Sequence, residues 1–179
     1  MKAYHPLLLF LFTLSVARAQ SPDSLQHLAM QKLDWWTGEW KGTAIIQTGP
    51  GKSDTTDMME SVKYNLGGTI IQIEGVGHPL VSHIKQEAAS HHAFAVLSYD
   101  LKSNRYKWQA WRIPGGIYTE YSPEVGNQSF SWSMETQQGK MRYKVILDDK
   151  GQWHETGEFS RDGDRWFPFF SMTLTRVHD

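Results

Sequence analysis

After Gly38 the apolar residues of this chain settle into a period of two and hold it to the C-terminal end. Trp40, Gly42, Ala44 and Ile46 share one side, as do Met58, Glu60, Val62 and Tyr64. The same spacing returns in Tyr106, Trp108, Ala110 and Arg112, in Phe130, Trp132 and Met134, and in Met141, Tyr143, Val145 and Leu147. An extended chain sends successive side chains to opposite faces, so each segment reads as a strand with one apolar face. Gly67-Gly68, Pro114-Gly115-Gly116 and Asp148-Asp149-Lys150-Gly151 mark turns between them. The pattern predicts about ten short strands: 40–47, 58–64, 69–76, 94–99, 106–112, 117–121, 130–134, 141–147, 153–159 and 166–176. An all-β antiparallel meander of this kind closes into an up-and-down barrel or folds as a sandwich. Residues 77–90 read as a long polar loop carrying His78 and His83, a lid or a mouth loop. Before the strands, Ser21-Pro22 reads as a helix start, and Leu25, Leu28, Ala29 and Leu33 recur at helical spacing. One short amphipathic helix is predicted over 22–35.

The first residues carry a different signal. Lys2 precedes an apolar run from Pro6 to Val16, and Ala17-Arg18-Ala19 follows as a small-x-small site. This predicts a secretory signal peptide over 1–19, cut before Gln20, with one domain over 20–179. The expected location is outside the cytoplasm of a bacterium, periplasmic or extracellular. The apolar run is too short to span a bilayer and no other stretch approaches that length, so no membrane span is expected. Removing Lys2 and Arg18 with that segment leaves 16 basic against 19 acidic residues. Such a balance has no basic field for nucleic acid. The chain has no cysteine, which excludes thiol catalysis, zinc–thiolate sites and iron–sulfur clusters. It has eight tryptophans, all beyond residue 19, and rings of that size fill a core or line a pocket. The oligomeric state is left open.

The order of three segments carries a resemblance. Leu33 with Gly38-Glu39-Trp40-Lys41-Gly42 comes first, then Tyr64-Asn65-Leu66-Gly67-Gly68-Thr69, then Phe94-Ala95-Val96-Leu97-Ser98-Tyr99-Asp100 with Tyr106-Lys107-Trp108 behind it. Together they resemble the exported bacterial lipocalin-like, calycin-type barrels of unknown function. The resemblance spans most of the chain after residue 19 and implies the fold, with no known activity. It also implies that Gly38, Trp40 and Arg176 close the barrel floor, the last-strand arginine lying across the first-strand indole. Gly38-x-Trp40-x-Gly42 is similar as well to the opening of nitrobindin, a haem-binding ten-strand barrel. There the haem histidine stands seven residues before the terminal basic residue; here that position is Phe169. No cofactor is therefore expected, and haem held by a different ligand stays as an alternative.

Among chemistry-bearing residues, His91 and His92 are adjacent on a strand and point to opposite faces, which reads as a solvated strand end rather than a chelate. His154 and Glu155 are split in the same way, and no His-x-His or His-Glu-x-x-His spacing occurs, so no metal is expected. Glu60, Glu74 and Glu155 sit on strands among apolar neighbours. Turned inward, each would be desolvated and suited to acid–base work; turned outward, each is an ordinary surface acid. Glu74 and Arg112 are the catalytic candidates if the barrel is an enzyme, of isomerase or cyclase type. The leading expectation is a binding protein. A small hydrophobic or amphipathic partner molecule would contact Trp108, Arg112, Trp132, Met134, Tyr143, Phe170 and Met172, with Arg112 holding a carboxylate head group. The remaining alternative is a filled barrel with a structural role in the cell envelope.

Overall fold

The computed structural model describes residues 22–177, and the expected signal peptide over 1–19 lies outside the described residues. Helix α1 (Pro22–Gln31) and a 3-10 turn (Asp34–Trp36) precede the strands. These are β1 (Gly38–Gly49), β2 (Lys52–Asn65), β3 (Ile70–Val81), β4 (Ile84–Lys85), β5 (His91–Asp100) and β6 (Arg105–Ile113). There follow β7 (Ile117–Tyr121), β8 (Glu124–Gly126), β9 (Ser129–Thr136), β10 (Gly139–Leu147), β11 (Gln152–Ser160) and β12 (Phe167–Arg176). All pair antiparallel, in the order β7-β6-β5-β3-β2-β1-β12-β11-β10-β9-β8, with β4 hydrogen-bonded to β3 alone. The fold is thus all-β, one antiparallel sheet curled into a half-barrel. Its edges approach through side chains: the Tyr121 ring of β7 lies 6.4 Å from Trp132 of β9, and its hydroxyl 4.0 Å from Met134 Sδ.

The strands number twelve, two more than the sequence predicts. The additions are β4 and β8, of two and three residues, too short for any period to be read. Residues 77–90 are correspondingly not one loop. β3 continues through Val81, Ser82 and His83 take positive φ, and β4 turns back. The helix is shorter than predicted and ends at Gln31. Leu25 and Leu28 stay 44% and 47% exposed, while Ala29, Met30, Leu33 and Trp36 are buried. Only the C-terminal end of α1 meets the core. Two of its final carbonyls, which accept Lys32 and Leu33 N–H groups in the turn that follows, are also tied to the sheet: Tyr64 Oη donates to Met30 O at 2.9 Å, and Tyr106 Oη to Ala29 O at 2.7 Å.

Alternation decides what lies inside. Trp40, Val62, Ile71, Leu97, Phe130, Val145, Trp153 and Leu174 are buried on the concave face. At this end Trp40 Nε1 donates to Trp36 O at 2.9 Å, and the Arg176 guanidinium carbon stands 4.2 Å from the centre of the Trp40 ring. Arg176 also donates to Thr37 O and, at 2.7 Å, to Trp35 O. Gly38 has φ 134°, and a Cβ there would press into this guanidinium. A glycine lets the chain enter β1 directly beneath the arginine. Among the described residues, no helix is long and apolar enough to cross a membrane.

Candidate functional site

Above the aromatic floor the interior is open, and the reason is residue size. The wall formed by β3, β5 and β6 presents Gly75, Ala93, Ala95 and Ala110, aligned by the pairs Gly75↔Ala93 and Ala95↔Ala110. Across the interior stand Trp132, Tyr143, Phe170 and Met172. Small side chains on one wall cannot reach large ones on the other, so a cavity lobe of about 410 Å³ remains, adjoined by a second of about 690 Å³ lined by Phe170 and Met172. Five residues line both: Glu60, His91, Arg112, Tyr143 and Glu155.

The two glutamates dominate the electrostatics. Glu60 sits on β2 opposite Gly75 of β3. A Cβ at position 75 would fall 2.6 Å from the Glu60 carboxyl carbon, so this glycine makes room for the acid. Glu60 is 8% exposed, and among the described residues its carboxyl has no hydrogen bond or ion pair. Burial, reinforced by the nearby Glu155 charge, pushes its pKa up to about 8. Glu155 of β11 is likewise pushed up to about 8 by burial, and the indole N–H of Trp153 opposes this only in part. Tyr143 rises to about 12 through burial, then through the charges of Glu155 and Tyr121. His91 is lowered, first by burial and then by Arg112 and His92. Arg112 makes no ion pair among the described residues. Near neutral pH the interior therefore holds two largely uncharged carboxylic acids and a neutral phenol, with the exposed Arg112 guanidinium lining its edge, and it can both donate and accept hydrogen bonds.

The structure brings all seven residues expected to contact a ligand to this cavity. Trp108, Trp132 and Met134 line the smaller lobe, Phe170 and Met172 the larger, and Arg112 and Tyr143 both. Glu74 requires a correction. β3 turns its odd-numbered residues Ile71, Ile73 and Gly75 inward, so Glu74 is exposed on the outer face, paired with His92 Nε2 at 2.8 Å. It is outside the cavity and cannot act there as a catalytic group. The histidine pair is also only half described by a solvated strand end. His92 is outward, but His91 faces the cavity, as the opposite parity of neighbours requires. His154 binds Asp148 Oδ2 at 2.9 Å on the outer face, and His78 Nδ1 meets Gln86 O at 3.0 Å. Phe169, at the position where the nitrobindin comparison looks for histidine, lines the larger lobe.

Architecture and interior together define an all-β protein whose curled half-barrel sheet encloses a cavity. The chain is similar in structure to Rv2717c from M. tuberculosis, with a TM-score of 0.58 and 12% identity over 84% of this chain and 98% of that one. It is similar also to the S-type phycobiliprotein lyase CPES from Guillardia theta, with a TM-score of 0.55 and 8% identity over 89% and 99% of the two chains. At such identities the likeness shows the fold. No family model and no curated protein sequence matches the chain.

Proposed function

We propose that this protein binds a small amphipathic molecule inside the barrel. One observation carries the reading: a cavity with a small-residue wall facing an aromatic wall, into which Glu60 brings a buried carboxyl with no partner among the described residues, with Glu155 and the exposed Arg112 lining the same lobes. Ligand sites are mostly apolar with a few convergent polar groups, and this one has that composition. A barrel filled to no purpose would not keep glycine and alanine opposite a tryptophan. The apolar run and small-x-small site over 1–19 support action outside the cytoplasm of a bacterium.

The test uses the tryptophans already in place. N-phenyl-1-naphthylamine, an uncharged probe, should quench their emission in a saturable titration with a micromolar Kd. Ala93→Trp, which fills the cavity from its small wall, should abolish the quenching while circular dichroism keeps its strand signature. Linear, non-saturating quenching in both proteins would refute the reading.

A catalytic reading has one observation in its favour. Two cavity-lining carboxyl groups, Glu60 buried and Glu155 half-buried, with pKa values pushed up to about 8 by desolvation, are suited to general acid–base chemistry on a bound molecule. On that reading the isomerase or cyclase roles pass from Glu74 to Glu60 and Glu155.

A further inference from the structure

We infer that the molecule this barrel takes is an organic cation: an ammonium or amidinium group seated between Glu60 and Glu155, on an apolar body lying against Trp108, Trp132 and Tyr143. The inference rests on the binding reading above and names the chemistry of the ligand.

Glu60 is more than nine-tenths buried, faces the cavity and has no partner among the described residues. A carboxyl desolvated in this way carries a standing cost unless something arrives to satisfy it. Gly75 leaves the space that the Glu60 carboxyl occupies, so the strand is built to hold the acid on the cavity wall. Glu155 lines the same two lobes from the opposite side of the β1–β12 pair, close enough for its charge to act on Glu60. Arg112 and His91 line the same lobes, yet neither acid forms an ion pair with them among the described residues, so the two acids together present a site for positive charge.

The neighbouring wall suits the apolar body. The Trp132 and Tyr143 rings stack at 5.0 Å with planes 8° apart, and Trp108 lies 4.9 Å from Trp132. These rings pack on one another and present a continuous apolar wall for the body of the ligand. An anion would find one partner, Arg112, whose charge already acts on His91. Its tail would then cover Glu60 and Glu155 with hydrocarbon and leave both acids unsatisfied. A cation resolves both acids at once, and Arg112 remains for a polar or anionic tail.

Binding then carries a proton count. At pH 7 the pair is largely protonated, so a cation entering between the acids drives at least one proton from a carboxyl to solvent. The other titratable or charged groups lining the two lobes are Asp54 from β2, His91 from β5, Arg112 from β6, Tyr121 from β7 and Tyr143 from β10. The inward residues of β1, β3, β9 and β12 that line them are uncharged. His91 is shifted below its ordinary range and Tyr143 up to about 12, so neither accounts for a proton lost between pH 7 and 9.

Three probes of one skeleton test this: 4-phenylbutylamine, 4-phenylbutanol and 4-phenylbutanoate, titrated calorimetrically at pH 6 and pH 9. The amine stays charged across this range, as a lysine side chain does. At pH 9 it should bind at least about tenfold more tightly than the alcohol, and by pH 6 lose about tenfold per pH unit below 8 for each proton released. Alcohol binding should change less than about twofold, and heats in two buffers at pH 7 should report proton release for the amine only. Glu60→Gln, which keeps the shape of the neutral acid, should weaken the amine about tenfold or more at pH 9 and spare the alcohol; Glu155→Gln should do the same. An amine no tighter than the alcohol at pH 9, a carboxylate tightest of the three, or an amine indifferent to both variants would overturn the inference. If the naphthylamine probe binds and the amine does not, only this inference falls. If no probe binds, the binding reading falls with it.

Discussion

Replacing Glu60 by glutamine should stabilise the protein at pH 9 and leave its stability nearly unchanged at pH 4. Glu60 ionises with a pKa near 4.5 in an open chain and about 8 in the fold. Below 4.5 both states hold the proton, and the site adds no pH dependence. Between 4.5 and 8 the unfolded chain releases the proton while the folded protein keeps it, so stability falls as pH rises. Above 8 both states have released it and the loss is complete. At 1.36 kcal/mol per pH unit, the full interval is worth about 5 kcal/mol. That is a ceiling, because the carboxyl faces a cavity that admits water and because its rise is shared with Glu155. The expected gain of Glu60→Gln is therefore about 2–4 kcal/mol at pH 9 and within about 1 kcal/mol of zero at pH 4. Urea unfolding of both proteins at pH 4, 6 and 9 measures it directly. An equal difference at all three pH values would show that Glu60 titrates alike folded and unfolded, and the account of a desolvated acid would be wrong.

Gly75→Ala should destabilise by about 1–3 kcal/mol, because the new methyl lands on the Glu60 carboxyl; adding Glu60→Ala should recover much of that loss, and purely additive effects would disprove the steric link. Trp40→Ala should cost about 3–5 kcal/mol in urea unfolding, as deletion of a large buried ring does, and a loss below about 1 kcal/mol would mean the ring carries no core packing.

The fold was legible because the alternation is a local signal. One strand is enough to show a period of two, and ten of the twelve strands show it from Trp40 onward. What escaped was either too short to have a period, as in β4 and β8, or depended on what packs where. The helix is an example. Leu25, Leu28, Ala29 and Leu33 form a regular apolar stripe, yet only the last two are buried, because the sheet end reaches no further along the axis. A stripe says which face is apolar and leaves open how much of it a neighbour covers.

The site turned on parity, which a single strand does not always carry. In β3 the odd set runs Ile71, Ile73, Gly75, Gly77 and the even set Ile70, Gln72, Glu74, Val76. Both contain apolar residues, so Glu74 could be drawn to either face. Register with the neighbouring strands separates them. Gly75 stands between Glu60 and Ala93, and Glu74 between Ser61 and Phe94. A strand that faces a packed core has little use for two glycines in one set, since each forfeits contacts and order. In β3 Gly75 makes room for the Glu60 carboxyl and Gly77 for the Met58 side chain. The sequence did contain this signal in Gly75, Ala93-x-Ala95 and Ala110, small residues on the inward sets of three paired strands. Such a run marks the wall of a void more directly than the aromatic residues do, because large rings fill a core and line a pocket equally well, whereas a patch of glycine and alanine facing large rings leaves space between them.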